Sequence, residues 1–211
     1  LAAGEAIQAV DAVMSGQNKN AFCATRPPGH HAERNKTMGF CFYNNIAVAA
    51  KHALDFHGLD RVAIIDFDVH QGNGTAEIFR DVPEVFTFSM HCSSNYPLDK
   101  EVSDLDIALA PFTEDGPYLS ALETVLPQLL EDFAPDFVFY LSGVDILKTD
   151  KLGRLAVSMK GCKERDRFVF DQCLKNEIPV AVSMGGGYSK QIAHIVNAHS
   201  NTFRLAQQLF F

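Results

Sequence analysis

Ionisable residues in this sequence gather directly behind short apolar runs, and their types point to metal chemistry. The run RVAIIDFD (61–68) carries Asp66 and Asp68 and passes into His70. DFVFYLS (136–142) leads to Gly143-Val144-Asp145, AFCAT (21–25) to Arg26-Pro27-Pro28-Gly29-His30-His31, and IPVAVSM (178–184) to Gly185-Gly186-Gly187-Tyr188. Asp66, Asp68 and His70 alternate at period two, so on an extended chain their side chains lean to one side. Asp68 and His70, joined by Asp145 from another run, make a set of two carboxylates and one imidazole. Three protein ligands leave a coordination position for water and substrate, which separates a catalytic metal site from a structural one. Oxygen and nitrogen donors without thiolate suit zinc, and ferrous iron also fits.

Such an ion makes hydroxide available. The pKa of water falls from about 15.7 in bulk to about 9 on aqueous zinc and ~7 in a protein site. At about 1.36 kcal/mol per unit, the ion supplies roughly 9 kcal/mol and the protein roughly 3 more. The ligand set therefore matters first and its tuning second.

Each motif also has a plainer reading. Asp66–His70 alone reads equally well as a strand end with an Asx-turn and a surface histidine. Ionisable groups against an apolar run are costly unless paired or metal-bound, however, and Asp145 with the histidine pair favours a site. His30 and His31 are a chance surface pair or, beside a metal water, a base and acid. Tyr188 either closes a turn or donates its phenol to an oxyanion, with Gly185–Gly187 letting the backbone approach; the second reading is preferred. Phe40 and Tyr96 are core aromatics or pocket walls, and sequence physics does not decide between them.

The elements that would position these residues alternate in kind. Helical patterns are expected at 2–15, 44–56, near 75–80, 117–133, near 161–175 and from about 190. Short apolar runs lie between them at 21–25, 61–68, 85–90, 136–142 and 178–184. Continuous apolar runs of this length are strands buried on both faces, and their alternation with helices implies βαβ units and a mostly parallel sheet. Ligands bind outside the carboxyl ends of such strands. The expectation is one α/β domain over residues 1–211, with four strands delivering His, Asp and Tyr to one edge.

Composition bounds the rest. A hydrophobic share of 47% in 211 residues supports a sizeable core, and a formal net charge of -8 argues against a nucleic-acid surface. Five scattered cysteines with no CxxC spacing disfavour disulfides and a structural zinc knuckle, and predict a reducing, cytoplasmic setting. No apolar run reaches the ~20 residues of a membrane helix. The sequence opens at Leu1 within a helical pattern, which predicts that an N-terminal part is missing.

RPPGHHAERNKTMGFCFYNN, IIDFDVHQGNGTAEIF, LSGVDILKTDKLGRL and GGGYS resemble, in order and over most of the chain, the histone deacetylase superfamily. That superfamily includes bacterial acetylpolyamine amidohydrolases and acetoin-utilisation proteins. HQGNGT, SGVDIL and DKLGRL look most like the class IV branch and its bacterial relatives. The resemblance implies the three-layer arginase/deacetylase fold, with a narrow tunnel leading to zinc. It assigns Asp68, His70 and Asp145 as metal ligands and His31 as general base, with His30 beside it and paired with Asp66. Tyr188 would polarise the acyl carbonyl, and Phe40, Tyr96, Leu152 and Gly186 would line the tunnel. A monovalent cation, K⁺ or Na⁺, is expected at Asp66, Asp68, His70, Ser89 and Met90. Relatives carry roughly a further quarter to a third of the domain before the region that begins here.

One position departs from some branches. Behind His31, where those carry Asp, stands Asn73; an amide orients an imidazole but stabilises imidazolium less than a carboxylate does, so His31 is expected to be the weaker base. The activity implied is zinc-dependent hydrolysis of the amide of an acylated lysine or small acylamine. An acetylpolyamine amidohydrolase is the alternative. A ureohydrolase would need a paired-metal set rich in Asp, and a non-catalytic binding module would be expected to have lost a ligand or the tyrosine.

Overall fold

The computed structural model describes residues 1–211. Six strands form one sheet: β1 (Asn20–Cys23), β2 (Val62–Asp66), β3 (Val85–Cys92), β4 (Leu105–Leu109), β5 (Phe137–Ser142) and β6 (Val180–Met184), in spatial order β1-β6-β5-β2-β3-β4. Every pairing is parallel.

Side-chain alternation along these strands builds two cores. On β2, Ala63 and Ile65 face the layer of α4 (Asp115–Phe133), α5 (Met159–Lys175) and α6 (Ile192–Phe210). Val62 and Ile64 face α1 (Ala2–Met14), α2 (Asn45–His57) and the short α3 (Asn73–Phe79). Ile64 and Ile65 are both essentially inaccessible to solvent, so each contributes about 1.5–3 kcal/mol of burial on its own face. Removing either leaves a cavity between a strand and a helix layer.

The elements begin and end for local reasons. Asn44 caps α2, its side chain accepting the N–H of Ala47, and Gly58 stops that helix with φ of 66°. Ser158 caps α5 through the N–H of Gly161. The strand without a counterpart among the expected apolar runs is β4. LDIAL is an edge strand whose half-buried Leu105, Ile107 and Leu109 alternate with exposed Asp106 and Ala108, so it lacks the continuous apolar run that marks the inner strands.

The topology selects the site. Successive connections run outward from β2 to β3 and β4, then return to β5 and β6 on its other side. The crevice at the carboxyl ends of β2 and β5 is therefore a topological switch point, where α/β sheets bind ligands.

Candidate active site

The segments that follow β1, β2, β3, β5 and β6 meet at one cavity of about 460 Å³. His30, His31, Phe40, Asp68, His70, Tyr96, Asp145, Leu152, Gly186 and Tyr188 all line it. Its size falls within the ~300–1,000 Å³ of small-molecule sites.

At its floor the ligand atoms of Asp68, His70 and Asp145 lie within 4.8 Å of one another. His70 Nδ1 stands 2.9 Å from Asp68 Oδ1 and 3.3 Å from Asp145 Oδ2. Backbone amides hold the carboxylates: Gly186 N–H donates to Asp68 Oδ2 and Val69 N–H to Asp145 Oδ1. Asp145 Oδ2 is wholly buried and accepts no hydrogen bond, its approach to His70 Nδ1 at 3.3 Å falling outside hydrogen-bond geometry. An orphaned buried carboxylate oxygen is costly, and a cation among these three donors would satisfy it. The residues present therefore fit a divalent ion.

The electrostatics agree. Burial works against charge on His70, yet its contacts with Asp145 and Asp68 raise it to about 11. Asp145 is pushed up to about 7 by burial and by the adjacent Asp68. Asp68 is held well below the usual carboxylate range: His30 and His70 outweigh its burial. This floor attracts positive charge.

The two histidines sit above it with ring centroids 4.0 Å apart. His30 Nδ1–H donates to Asp66 Oδ2 at 2.7 Å, and His31 Nδ1–H to Asn73 Oδ1 at 2.7 Å. The amide of Asn73 is oriented from its other side, Nδ2 donating to Glu33 Oε1 and to the carbonyl of His31. Each imidazole thus has its proton at Nδ1 and its Nε2 available. Burial, assisted by the charge of His30, lowers His31 to about 3. His30 itself is raised because Asp66 and Asp68 overcome its burial.

Close approaches explain the glycines. A Cβ on Gly186 would lie 2.0 Å from Asp145 Oδ2 and 2.8 Å from Asp68 Oδ2. Gly39, at φ of +50°, presses on His31, and a Cβ there would meet its ring at 2.1 Å. The next residue, Phe40, also has positive φ and is 75% exposed at the cavity mouth. Tyr96 meets His31 edge-on at 5.0 Å. Both aromatics are pocket walls rather than core. Ser89 pairs in register with Asp66, so that residue and buried Met90 lie beside the floor.

Some contributors were not anticipated. Asn95 faces His70 Nε2 at 3.4 Å and ties down the segment at 152–154 through the Leu152 carbonyl and the Arg154 N–H. Arg26 lies 5.2 Å from the Tyr188 ring centroid. Burial raises the Tyr188 phenol, with Asp68 and Asp145 adding and Arg26 opposing. Asn95 lies in a polar loop with no motif around it, whereas Arg26 sits inside the RPPGHH segment and its stacking needs the fold to be seen.

The profile of the Histone deacetylase domain matches residues 1–203. The chain is 44% identical over 189 residues to an uncharacterized protein of a Picosynechococcus strain, covering 89% of this chain and 63% of the relative. It is 34% identical over 202 residues to the histone deacetylase-like amidohydrolase of Pseudomonas aeruginosa, covering 90% of this chain and 53% of the relative. The crystal structure of the acetylpolyamine aminohydrolase from Burkholderia pseudomallei superposes with a TM-score of 0.86 at 27% identity, covering 99% of this chain and 62% of that one. The chain thus spans between half and two thirds of the length of these proteins. Its sheet order and helix layers are those of the arginase/deacetylase fold, and the chain belongs to the histone deacetylase family.

Proposed function

We propose that residues 1–211 carry, as a single catalytic domain, the centre of a zinc-dependent deacylase that hydrolyses the amide of an acylated lysine or a small acylamine. The observation that carries this reading is the placing of the His30–His31 pair beside the Asp68–His70–Asp145 cluster, His31 meeting His70 edge-on at 5.9 Å, with Asp145 Oδ2 accepting no hydrogen bond, within one cavity. Asp68, His70 and Asp145 would hold the ion, and ferrous iron suits the same donors. When bound, the ion supplies Lewis acidity toward water and an acyl carbonyl.

The chain's own residues do the rest. His31, neutral with Nδ1–H fixed on Asn73, takes the proton of the attacking water at Nε2. His30, its Nδ1–H held by Asp66 and its pKa raised by Asp66 and Asp68 against its burial, stands beside it as the acid toward the leaving amine. The Tyr188 phenol donates to the developing oxyanion, its backbone fixed by Asp150 Oδ2. Phe40 and Tyr96, with Leu152 and Gly186, form the channel for an extended alkyl chain. Asp66, Asp68, His70, Ser89 and Met90 would hold a K⁺ or Na⁺ behind the floor. Five buried, unbridged cysteines suit a reducing cytoplasm.

An acetylpolyamine substrate is the second reading, favoured by the superposition on an acetylpolyamine aminohydrolase. One panel decides: acyl-lysine peptides and acetylpolyamines of varied acyl length, offered to the full-length protein with zinc and with a chelator. Chelator-sensitive release from one class is expected and names the substrate. No release from any member, with zinc shown to be bound, would sink the deacylase reading in favour of a binding role.

A further inference from the structure

Asp11, His52 and His57 converge at the surface where α1 lies against α2. Both imidazoles point Nε2 at one atom, Asp11 Oδ1, from 2.7 Å and 2.8 Å. Donor atoms of all three residues fall within 4.8 Å of one another. The cluster is remote from the deacetylase centre. The N-terminal end of α2 abuts that centre, with Asn45 Nδ2 donating to the Pro27 carbonyl, whereas His57 is its last residue, about 18 Å further along at ~1.5 Å per residue.

We propose that Asp11, His52 and His57 form a second divalent-cation site, selective for a borderline transition ion such as zinc, that clips α1 to α2. Imidazole and carboxylate donors are those zinc prefers after thiolate. With metal–ligand bonds of about 2.0–2.1 Å, tetrahedral donors stand ~3.3 Å apart. The two N···O separations need to open by only roughly half an ångström, because the ion takes the place of the two N–H protons that now bridge to Asp11.

Three further features favour a cation. His57 lies in the last turn of α2, at the negative end of the helix dipole. The nearest ammonium on that helix, Lys51, is engaged with Asp55. Phe56 stacks on the His52 ring at 4.9 Å and 14°, fixing its plane. The side chains of His52 and His57 are about one-fifth exposed and that of Asp11 nearly half, so the fourth position opens to water and an ion enters without unfolding.

Zinc-loaded wild-type protein is titrated with further zinc by calorimetry, alongside His52→Asn and His57→Asn. The expected result is one additional equivalent in the wild type, with a rise in thermal midpoint. Each variant should bind that equivalent at least about tenfold more weakly, since losing a ligand costs more than the 10–100-fold of an outer-shell partner. Unchanged midpoints in chelator show the variants folded, and the wild-type titration stands alone should one fail to fold. No further equivalent in the wild type, or equal uptake by both variants, overturns the proposal.

Discussion

Arg165 Nη1 donates to the carbonyl of Gly143 at 2.6 Å, fastening a fully buried guanidinium to the turn that presents Asp145. The same nitrogen reaches the carbonyl of Phe67, the residue before Asp68, at 3.3 Å. One cation on α5 therefore braces both loops that carry the candidate metal ligands. It is itself balanced by Asp166, which also accepts from Tyr140 and Thr202.

Replacing Arg165 should act at two levels. Arg165→Met leaves Asp166 as a buried charge without its cation, and breaking such a pair costs about 3–5 kcal/mol. Denaturant unfolding of the zinc-free protein checks this. Adding Asp166→Asn should restore much of the stability, while weakened zinc retention persists because the loops have lost their brace. A double variant that regains both would show that Arg165 serves stability alone.

How far the sequence carried this picture depended on whether a feature was local. The inner strands β2, β3, β5 and β6 stood out as continuous apolar runs because both their faces are covered, the edge strand β1 was marked by its short run AFCAT, and β4 did not stand out because its alternate residues meet water. Asp68, His70, Asp145 and Tyr188 were legible because strand ends in a parallel sheet converge by topology. Arg165 was not, because it stands among the charged residues Lys163, Glu164, Asp166 and Arg167 of α5 and its partners are carbonyls 22 and 98 residues away. The Asp11–His52–His57 cluster was equally hidden, joining two helices through a spacing of five that matches no familiar metal motif.

Gly186 makes a demand that no side chain can meet. In Gly186→Ala the new Cβ would lie 2.0 Å from Asp145 Oδ2, so a carboxylate must turn away. Overpacking of this kind costs roughly 1–3 kcal/mol. The sharper expected outcome is loss of bound zinc, measured by elemental analysis. Full zinc occupancy in the variant would mean the ligands tolerate the shift.

Tyr188 is expected to matter for turnover but not for metal content. Tyr188→Phe keeps the ring by Arg26 and the backbone bond to Asp150 and removes only the phenol. Loss of an oxyanion donor typically costs about 10²–10³ in kcat, so roughly a hundredfold drop is expected with zinc unchanged. A variant at full rate would exclude the oxyanion role.

Asn73→Asp tests the base directly. Burial sets His31 near 3, and a carboxylate at hydrogen-bond distance from its Nδ1 should raise it by about 1–3 units. The new charge also faces Glu33, to which Asn73 now donates, so some stability should be lost. Imidazole titration by NMR reads the first effect and thermal unfolding the second. An unmoved His31 pKa would break the argument.

His199 should make the fold acid-sensitive. It lies on α6, 5% exposed, and neither ring nitrogen has a hydrogen-bond partner. Burial, with Arg165 and Arg26 adding, lowers it to about 4. The unfolded chain takes up this proton near pH 6.5 and the folded chain only near 4. Stability from this residue is therefore complete above about pH 6.5 and drains away as pH falls toward 4. At pH 4.5 the loss is roughly 2–3 kcal/mol relative to pH 7.5, on the basis of about 1.36 kcal/mol per unit. His199→Leu removes the titration and keeps an apolar side chain of similar bulk. The difference in unfolding free energy between the two pH values should shrink by that amount in the variant. An equal acid loss in both proteins would place the proton uptake elsewhere.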